Sequence, residues 1–149
     1  MSQGAWVLVV AIAASAAFGA WRAVRDGRFR GTREVGTPER EASQDPEGPL
    51  AGLDHRLGER ATLLQFSSAF CAPCRATRRV LAEVTELVPG VAHIELDAEQ
   101  HLDLVRRTGI VRTPTTLVLD AHGREVSRAA GAPSRPEVLA TLASALTRP

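Results

Sequence analysis

The apolar and polar positions divide the chain into three stretches. Gly4-Ala5-Trp6 through Phe18-Gly19-Ala20-Trp21 runs without a charge, and its apolar part of about seventeen residues is at the short end of what spans a bilayer. Trp6 and Trp21 mark its ends, about 22 Å apart along a helix at 1.5 Å per residue, where interfacial aromatics are expected. From Gly31 to Pro49 almost nothing is apolar, so a flexible linker is expected, with a root-mean-square reach of roughly 20–25 Å. From Leu50 onward apolar periodicity returns. Ala61-Thr62-Leu63-Leu64-Gln65-Phe66 is of strand length, and Val80, Leu81, Val84, Leu87 and Val88 recur at helical spacing. Pro89-Gly90 breaks that pattern before a strand at Val91 to Asp97. A short helix from Glu99 to Thr108, carrying Leu102, Leu104 and Val105, is stopped by Gly109. Thr115 to Asp120 and Arg124 to Ala130 flank Ala121-His122-Gly123 as an antiparallel hairpin. Ser134-Arg135-Pro136-Glu137 is a capping box that opens a last helix, with Val138, Leu139, Leu142, Ala145 and Leu146 as its apolar stripe. Pro149 follows that helix, and no further domain is expected. The order of elements is that of an α/β sandwich. The expected domains are a transmembrane anchor at 4–21, a basic juxtamembrane segment and linker at 22–49, and the α/β domain at 50–149.

Charge adds an orientation. The net charge of +1 gives no nucleic-acid signature, and all 18 positive side chains are arginine, which reads as coding bias rather than a functional demand. Arg22, Arg25, Arg28, Arg30 and Arg33 follow the apolar stretch, against only Asp26 and Glu34. By the positive-inside rule that flank stays cytoplasmic, placing the domain in the cytoplasm of a single-pass membrane protein. Two other readings stay open. A buried helix of the domain is one. A cleaved signal peptide is the other: Ala14-Ser15-Ala16 fits a cleavage site, whereas Met1-Ser2-Gln3 lacks the usual positive charge.

The only two cysteines lie in Phe70-Cys71-Ala72-Pro73-Cys74. Closing so short a loop constrains the unfolded chain little, so the spacing suits thiol–disulfide exchange better than a structural staple. A structural zinc site needs four ligands, and His55, His93, His101 and His122 are scattered. No metal is expected; an inert pair is the remaining alternative. The motif sits where a strand turns into a helix. Cys71 at the helix N-terminus would have its thiolate stabilised by free N–H groups and the helix dipole. Pro73 suits the first turn, and Cys74 falls one turn in, pointing inward as a resolving thiol. Arg75, Arg78 and Arg79 either favour a thiolate or form a solvated basic face. His93 and His101 are expected at the surface, with help to proton traffic near the cysteines as the alternative.

The stretch from Gln65 to Arg75, with Ala-Pro between the cysteines and Phe70 before them, resembles the thioredoxin family. So does Gly109-Ile110-Val111-Arg112-Thr113-Pro114-Thr115, which is similar to the segment that carries that family's cis-proline. The resemblance covers about Thr62 to Thr147 and implies a thioredoxin-like fold: a central mixed sheet with flanking helices. The family's first strand–helix unit would be trimmed to what Leu50 to Arg60 allow. It also implies that Pro114 is cis beside the disulfide, that the Thr113 backbone offers strand-like hydrogen bonds to substrate, and that Phe70, Ala72 and Pro73 complete the substrate surface. Two departures stand out. The buried acid that moves protons for the second cysteine in that family falls at Gln65, which does not titrate, and the usual Trp is Ser67.

The expected function is therefore that of a membrane-anchored thiol–disulfide oxidoreductase with Cys71 and Cys74 as its catalytic pair. It works in the reducing direction, because the spacer resembles the Gly-Pro of reducing thioredoxins and lacks a His. The redox-active disulfide is its only cofactor. Its partners are a disulfide-containing protein substrate and a thiol electron donor or membrane electron carrier, and it is expected as a monomer. Two alternatives remain: an extracytoplasmic thiol reductase of the cytochrome c maturation type, and a non-catalytic thioredoxin-like binding module, motivated by Gln65 and Ser67.

Overall fold

The computed structural model describes residues 3–25, 28–31, 48–50 and 55–147. The charge-free stretch forms one helix, α1 (Gln3–Arg25). Its segment Gly4–Trp21 is long and apolar enough to cross a membrane by length and composition. Trp6, Val7, Leu8, Val9, Val10, Ile12, Phe18 and Trp21 are all exposed, unlike the side chains of a helix buried in a soluble core.

The remaining elements are β1 (Phe29–Gly31), β2 (Ala61–Ser67), α2 (Ala72–Leu87), β3 (Val91–Asp97), α3 (Leu102–Arg107), β4 (Thr115–Asp120), β5 (Glu125–Ala130) and α4 (Arg135–Leu146). The strands form one mixed sheet in the order β1-β5-β4-β2-β3, with β2 and β3 parallel and the other pairs antiparallel. Burial explains the register. β2 is covered on both faces over all seven residues, as its near-continuous apolar run requires of a central strand. Leu64 and Phe66 point to one side with Ile94, Leu96, Leu117 and Leu119, covered by Leu104 of α3 and by Leu50. Ala61 and Leu63 point to the other side with Val91 and Val118, against Leu81 and Val84 of α2 and Val138 and Leu142 of α4. Each such fully buried aliphatic side chain contributes about 1.5–3 kcal/mol relative to exposure.

Four expectations change. First, Phe29–Gly31 is a strand on β5, with Phe29 opposite Ala129, inside the 22–49 stretch for which the sequence offers no packed element. Half-buried Phe29 packs against the core beside α4; a lone aromatic among arginines carries no periodicity. Second, α3 begins three residues late. The Asp97 carboxylate accepts the Glu99 N–H at 2.9 Å and the Gln100 side-chain amide at 3.2 Å, holding those residues in a turn. Third, Leu87 of the α2 stripe, the last residue of the helix, is 55% exposed. Fourth, β5 begins at Glu125, and the hairpin carries a register shift at Val118/Leu119.

The last helix starts as expected: the Ser134 N–H and hydroxyl both donate to Glu137, at 2.9 and 2.7 Å, completing a capping box. Leu50 belongs to the core, whereas residues 51–54 lie outside the described ones, and 55–60 form no strand or helix. The linker expected from Gly31 to Pro49 lies outside the described residues at 32–47, as do the charges at Asp26, Arg33 and Glu34.

Candidate active site around Cys71 and Cys74

At the end of β2 the chain turns and starts α2 with Cys71 as the N-cap residue, extended at φ −93° and ψ 98°. Helices leave their first N–H groups without intrahelical partners. Here the Cys74 N–H is directed at the Cys71 sulfur, 3.1 Å away. Pro73 occupies the first turn, where its missing N–H costs nothing. Cys71 and Cys74 form a disulfide, with Cα atoms 5.2 Å apart. The two sulfur positions differ in access: Cys71 is partly exposed, whereas Cys74 is 2% exposed.

The second motif meets the first in space. The Ser68 and Thr113 hydroxyls lie 3.1 Å apart, joining the active-site turn to the segment before β4. The Thr113–Pro114 peptide is cis. Pro114 is buried and its carbonyl accepts the Gly131 N–H at 2.8 Å, while the Thr115 hydroxyl donates to the Arg112 carbonyl at 2.8 Å. Beside Cys71 in the chain, Phe70 is 100% exposed and Ala72 and Pro73 are also exposed. On the Pro114 segment Val111 is 91% exposed and Thr113 is half-buried. All seven expected site residues thus lie on these two joined segments. Val111 escaped the sequence reading because one Val in a polar segment has no periodic partner.

Behind Cys74 the surroundings are polar and closed. Gln65 is fully buried. Its side-chain amide N–H groups point to the Cys74 carbonyl at 3.0 Å and the Ser67 hydroxyl at 2.7 Å. The Ser67 hydroxyl in turn donates to Glu95 Oε1 at 2.6 Å, the residue opposite Gln65 in the β2/β3 register. Arg78, one turn beyond Cys74 on α2, grips Glu95 with two hydrogen bonds, one of 2.9 Å from its terminal nitrogen. The Cys74 carbonyl only accepts, so it fixes the orientation of the Gln65 amide, and His93 Nε2, 3.2 Å from Gln65 Oε1, must then be the donor.

His93 is therefore part of this layer and half-buried, away from the surface position that was the first expectation and closer to the cysteine side that was the alternative; strand alternation puts it on the same side as Glu95. His101 is the N-cap residue of α3 and makes no side-chain cap bond. The Thr77 and Thr116 hydroxyls are buried on the same α2-facing side, without a hydrogen-bond partner among the described residues. Burial holds the His93 pKa below its usual 6.5, with the Arg78 charge acting in the same direction and Glu95 opposing. For Glu95, burial alone would raise the pKa, but hydrogen bonds from Arg78 and Ser67 and the charges of Arg78 and His93 outweigh it and hold the carboxyl below 4.5. Arg78 is held higher than usual by the same hydrogen bond and charge. The pair is ionised at neutral pH.

Glu95 is the site residue that sequence reasoning missed. Its signal is a register: only the pairing of Gln65 with Glu95 and Ser67 with Asp97 along β2/β3 brings it to this layer. Among the described residues, no group of three or more His, Cys, Asp or Glu side chains could hold a metal ion.

The sequence and the fold both have relatives. Thioredoxin H4-1 of Oryza sativa subsp. japonica is 30% identical over 90 residues, covering 57% of this chain and 67% of that protein. A thioredoxin of Alicyclobacillus acidocaldarius subsp. acidocaldarius is 31% identical over 90 residues, covering 60% and 85%. The crystal structure of thioredoxin NaTrxh from Nicotiana alata shares the fold at a TM-score of 0.53 and 23% identity, covering 59% of this chain and 75% of that one. With the model of the thioredoxin-like domain matching residues 55–146, across both motifs and every element from β2 to α4, the chain belongs to the thioredoxin-like domain family.

Proposed function

We propose that the chain is a membrane-anchored thiol–disulfide oxidoreductase that reduces disulfide-containing protein substrates through Cys71 and Cys74. One observation carries the reading: the two sulfurs of one disulfide have opposite environments, Cys71 partly exposed among apolar side chains and Cys74 sealed at 2% exposure. In the reduced protein the Cys71 thiolate, favoured by the N-terminus of α2, attacks a substrate sulfur. The substrate disulfide breaks, one half leaves as a thiolate that takes up a proton, and a mixed disulfide forms on Cys71. Cys74 then loses its proton and attacks the Cys71 sulfur. The second substrate thiol is released and the Cys71–Cys74 disulfide is restored, with two electrons passed to the substrate. Phe70, Ala72, Pro73, Thr113 and Pro114 form the surface on which the substrate chain lies. A thiol electron donor or a membrane electron carrier returns the pair to the dithiol.

Insulin reduction by the full chain in detergent tests the chemistry. Turnover is expected, and Cys71→Ser is expected to reduce it to background; equal turnover in both proteins would overturn the reading. A midpoint potential above about −180 mV, the value typical of protein disulfide isomerase, would overturn the reducing direction.

The membrane reading rests on the uncharged Gly4–Trp21 helix, and the arginines that follow favour a cytoplasmic domain. Intact cells treated with a reductant and a membrane-impermeant maleimide are expected to leave Cys71 unlabelled until lysis. Labelling before lysis would reverse the orientation and make exported thiols the substrates.

A further inference from the structure

The resolving step requires Cys74 to lose a proton while its side chain is sealed, yet β2 and β4 face α2 with neutral side chains, Gln65 and Thr116 among them. Charge approaches from two other elements. On α2 itself, Arg78 stands one turn beyond Cys74, and Arg75 is exposed beside it. On β3, Glu95 and His93 enter the same layer. The α4 side adds Arg135, which lies 3.7 Å from Glu83, further along α2, and Glu137, whose carboxylate is taken up by the Ser134 N–H and hydroxyl.

These groups are connected. Arg78 holds Glu95; Glu95 accepts the Ser67 hydroxyl; Ser67 accepts from Gln65; and Gln65 donates to the Cys74 carbonyl. Side-chain exposure of Glu95 is 22%, so its charge is less screened by solvent than a surface carboxylate's. Burial holds the His93 pKa below its usual value, and Arg78 and Glu95 are the ion pair that hydrogen bonds join to this layer.

We propose that the Arg78–Glu95 ion pair is a positioning element that sets the ionisation of Cys74; its part in turnover rests on the oxidoreductase reading above. With both charges present, each offsets the other at the sulfur. Glu95 alone disfavours the Cys74 thiolate, and Arg78 alone favours it. The hydrogen bonds to Gln65 and Ser67 keep that balance at a fixed distance from the helix turn that carries Cys74. In the resolving step the proton leaves the Cys74 thiol as its sulfur bonds to Cys71, the bond from Cys71 to the substrate sulfur breaks, and the departing thiolate takes up a proton. The pair fixes how readily the first of these occurs.

The test is a pH titration of the Cys74 thiolate by its ultraviolet absorbance, in the reduced full chain carrying Cys71→Ser. The chain has no tyrosine, so no phenolate interferes. Arg78→Met is expected to raise the midpoint and Glu95→Gln to lower it, each by about half a pH unit or more. The double variant is expected to return close to the starting value, and Arg78→Lys, which keeps the charge, to stay near it. Circular dichroism shows that each variant is folded. Shifts of the same sign in the two single variants, no shift in either, or a lysine variant that behaves like the methionine one would overturn the proposal. Insulin reduction by the chain with both cysteines, measured in parallel, separates the two failures. Absent turnover with opposite midpoint shifts would reject the oxidoreductase reading and leave the ion-pair effect standing. Normal turnover with unmoved midpoints would do the reverse.

Discussion

The two sides of the Cys71–Cys74 disulfide are built on opposite principles. Outward lie Phe70, Ala72 and Pro73, exposed apolar groups that contribute little to folding and offer themselves to another chain. Inward lie Gln65, Ser67, Glu95, Arg78 and His93, linked from strand to helix by hydrogen bonds. A binding face must stay open to be useful. In a buried polar layer each group left without a partner costs about 1–3 kcal/mol. The difference teaches where each kind of change will register: outside in recognition, inside in stability and in the ionisation of Cys74.

The sharpest way to break the inner side is Gln65→Leu. It fills the space but strips the Cys74 carbonyl and the Ser67 hydroxyl of a partner, and a loss of about 1–3 kcal/mol is expected in urea unfolding. An unchanged unfolding midpoint would show that the layer is not closed as described.

A smaller effect comes from pH. His93 and Glu95 both have folded-state pKa values below their usual 6.5 and 4.5. Between the folded and unfolded values the unfolded chain binds more protons, so each group's contribution is complete above the unfolded value and is lost as pH falls through the folded one. Stability is expected to decline first below about pH 6.5 and again below about 4.5. His93→Gln should remove the first decline and Glu95→Gln the second. A profile unchanged by either substitution would contradict the assignment.

The smallest effect on stability belongs to the outer side. Phe70→Ala is expected to shift unfolding by no more than about 0.5 kcal/mol while raising KM for a protein disulfide and leaving reaction with a small disulfide reagent nearly unchanged. Equal loss with both substrates would show that Phe70 serves the sulfur rather than substrate binding.

Most of the fold was legible because its elements announce themselves locally. The apolar run at Ala61–Phe66, the Pro89-Gly90 break, the hairpin around Gly123 and the capping box at Ser134 each carry their own signal within a few residues. The outer half of the site was equally legible, because Cys71 and Cys74 form a short motif whose chemistry depends on spacing and the Pro114 segment resembles that of the thioredoxin family. The inner half was legible only as a gap, an amide at position 65 where a titratable group was looked for.

What filled that gap was decided by register. Glu95 is 30 positions from Gln65, and nothing near it in the chain marks it out from any strand glutamate. Parallel pairing of β2 with β3, and the crossing of α2 that brings Arg78 over β3, put the carboxylate beneath the active-site helix. The same holds for Phe29, whose place on β5 depends on a partner about a hundred residues later in the chain. The sequence by itself determined most of the elements, the redox pair and the apolar N-terminal helix, since each follows from propensity, spacing or composition over one short window. The tertiary structure decided which charges face Cys74 and which strand closes the sheet edge, because such contacts exist only once distant strands have settled into register.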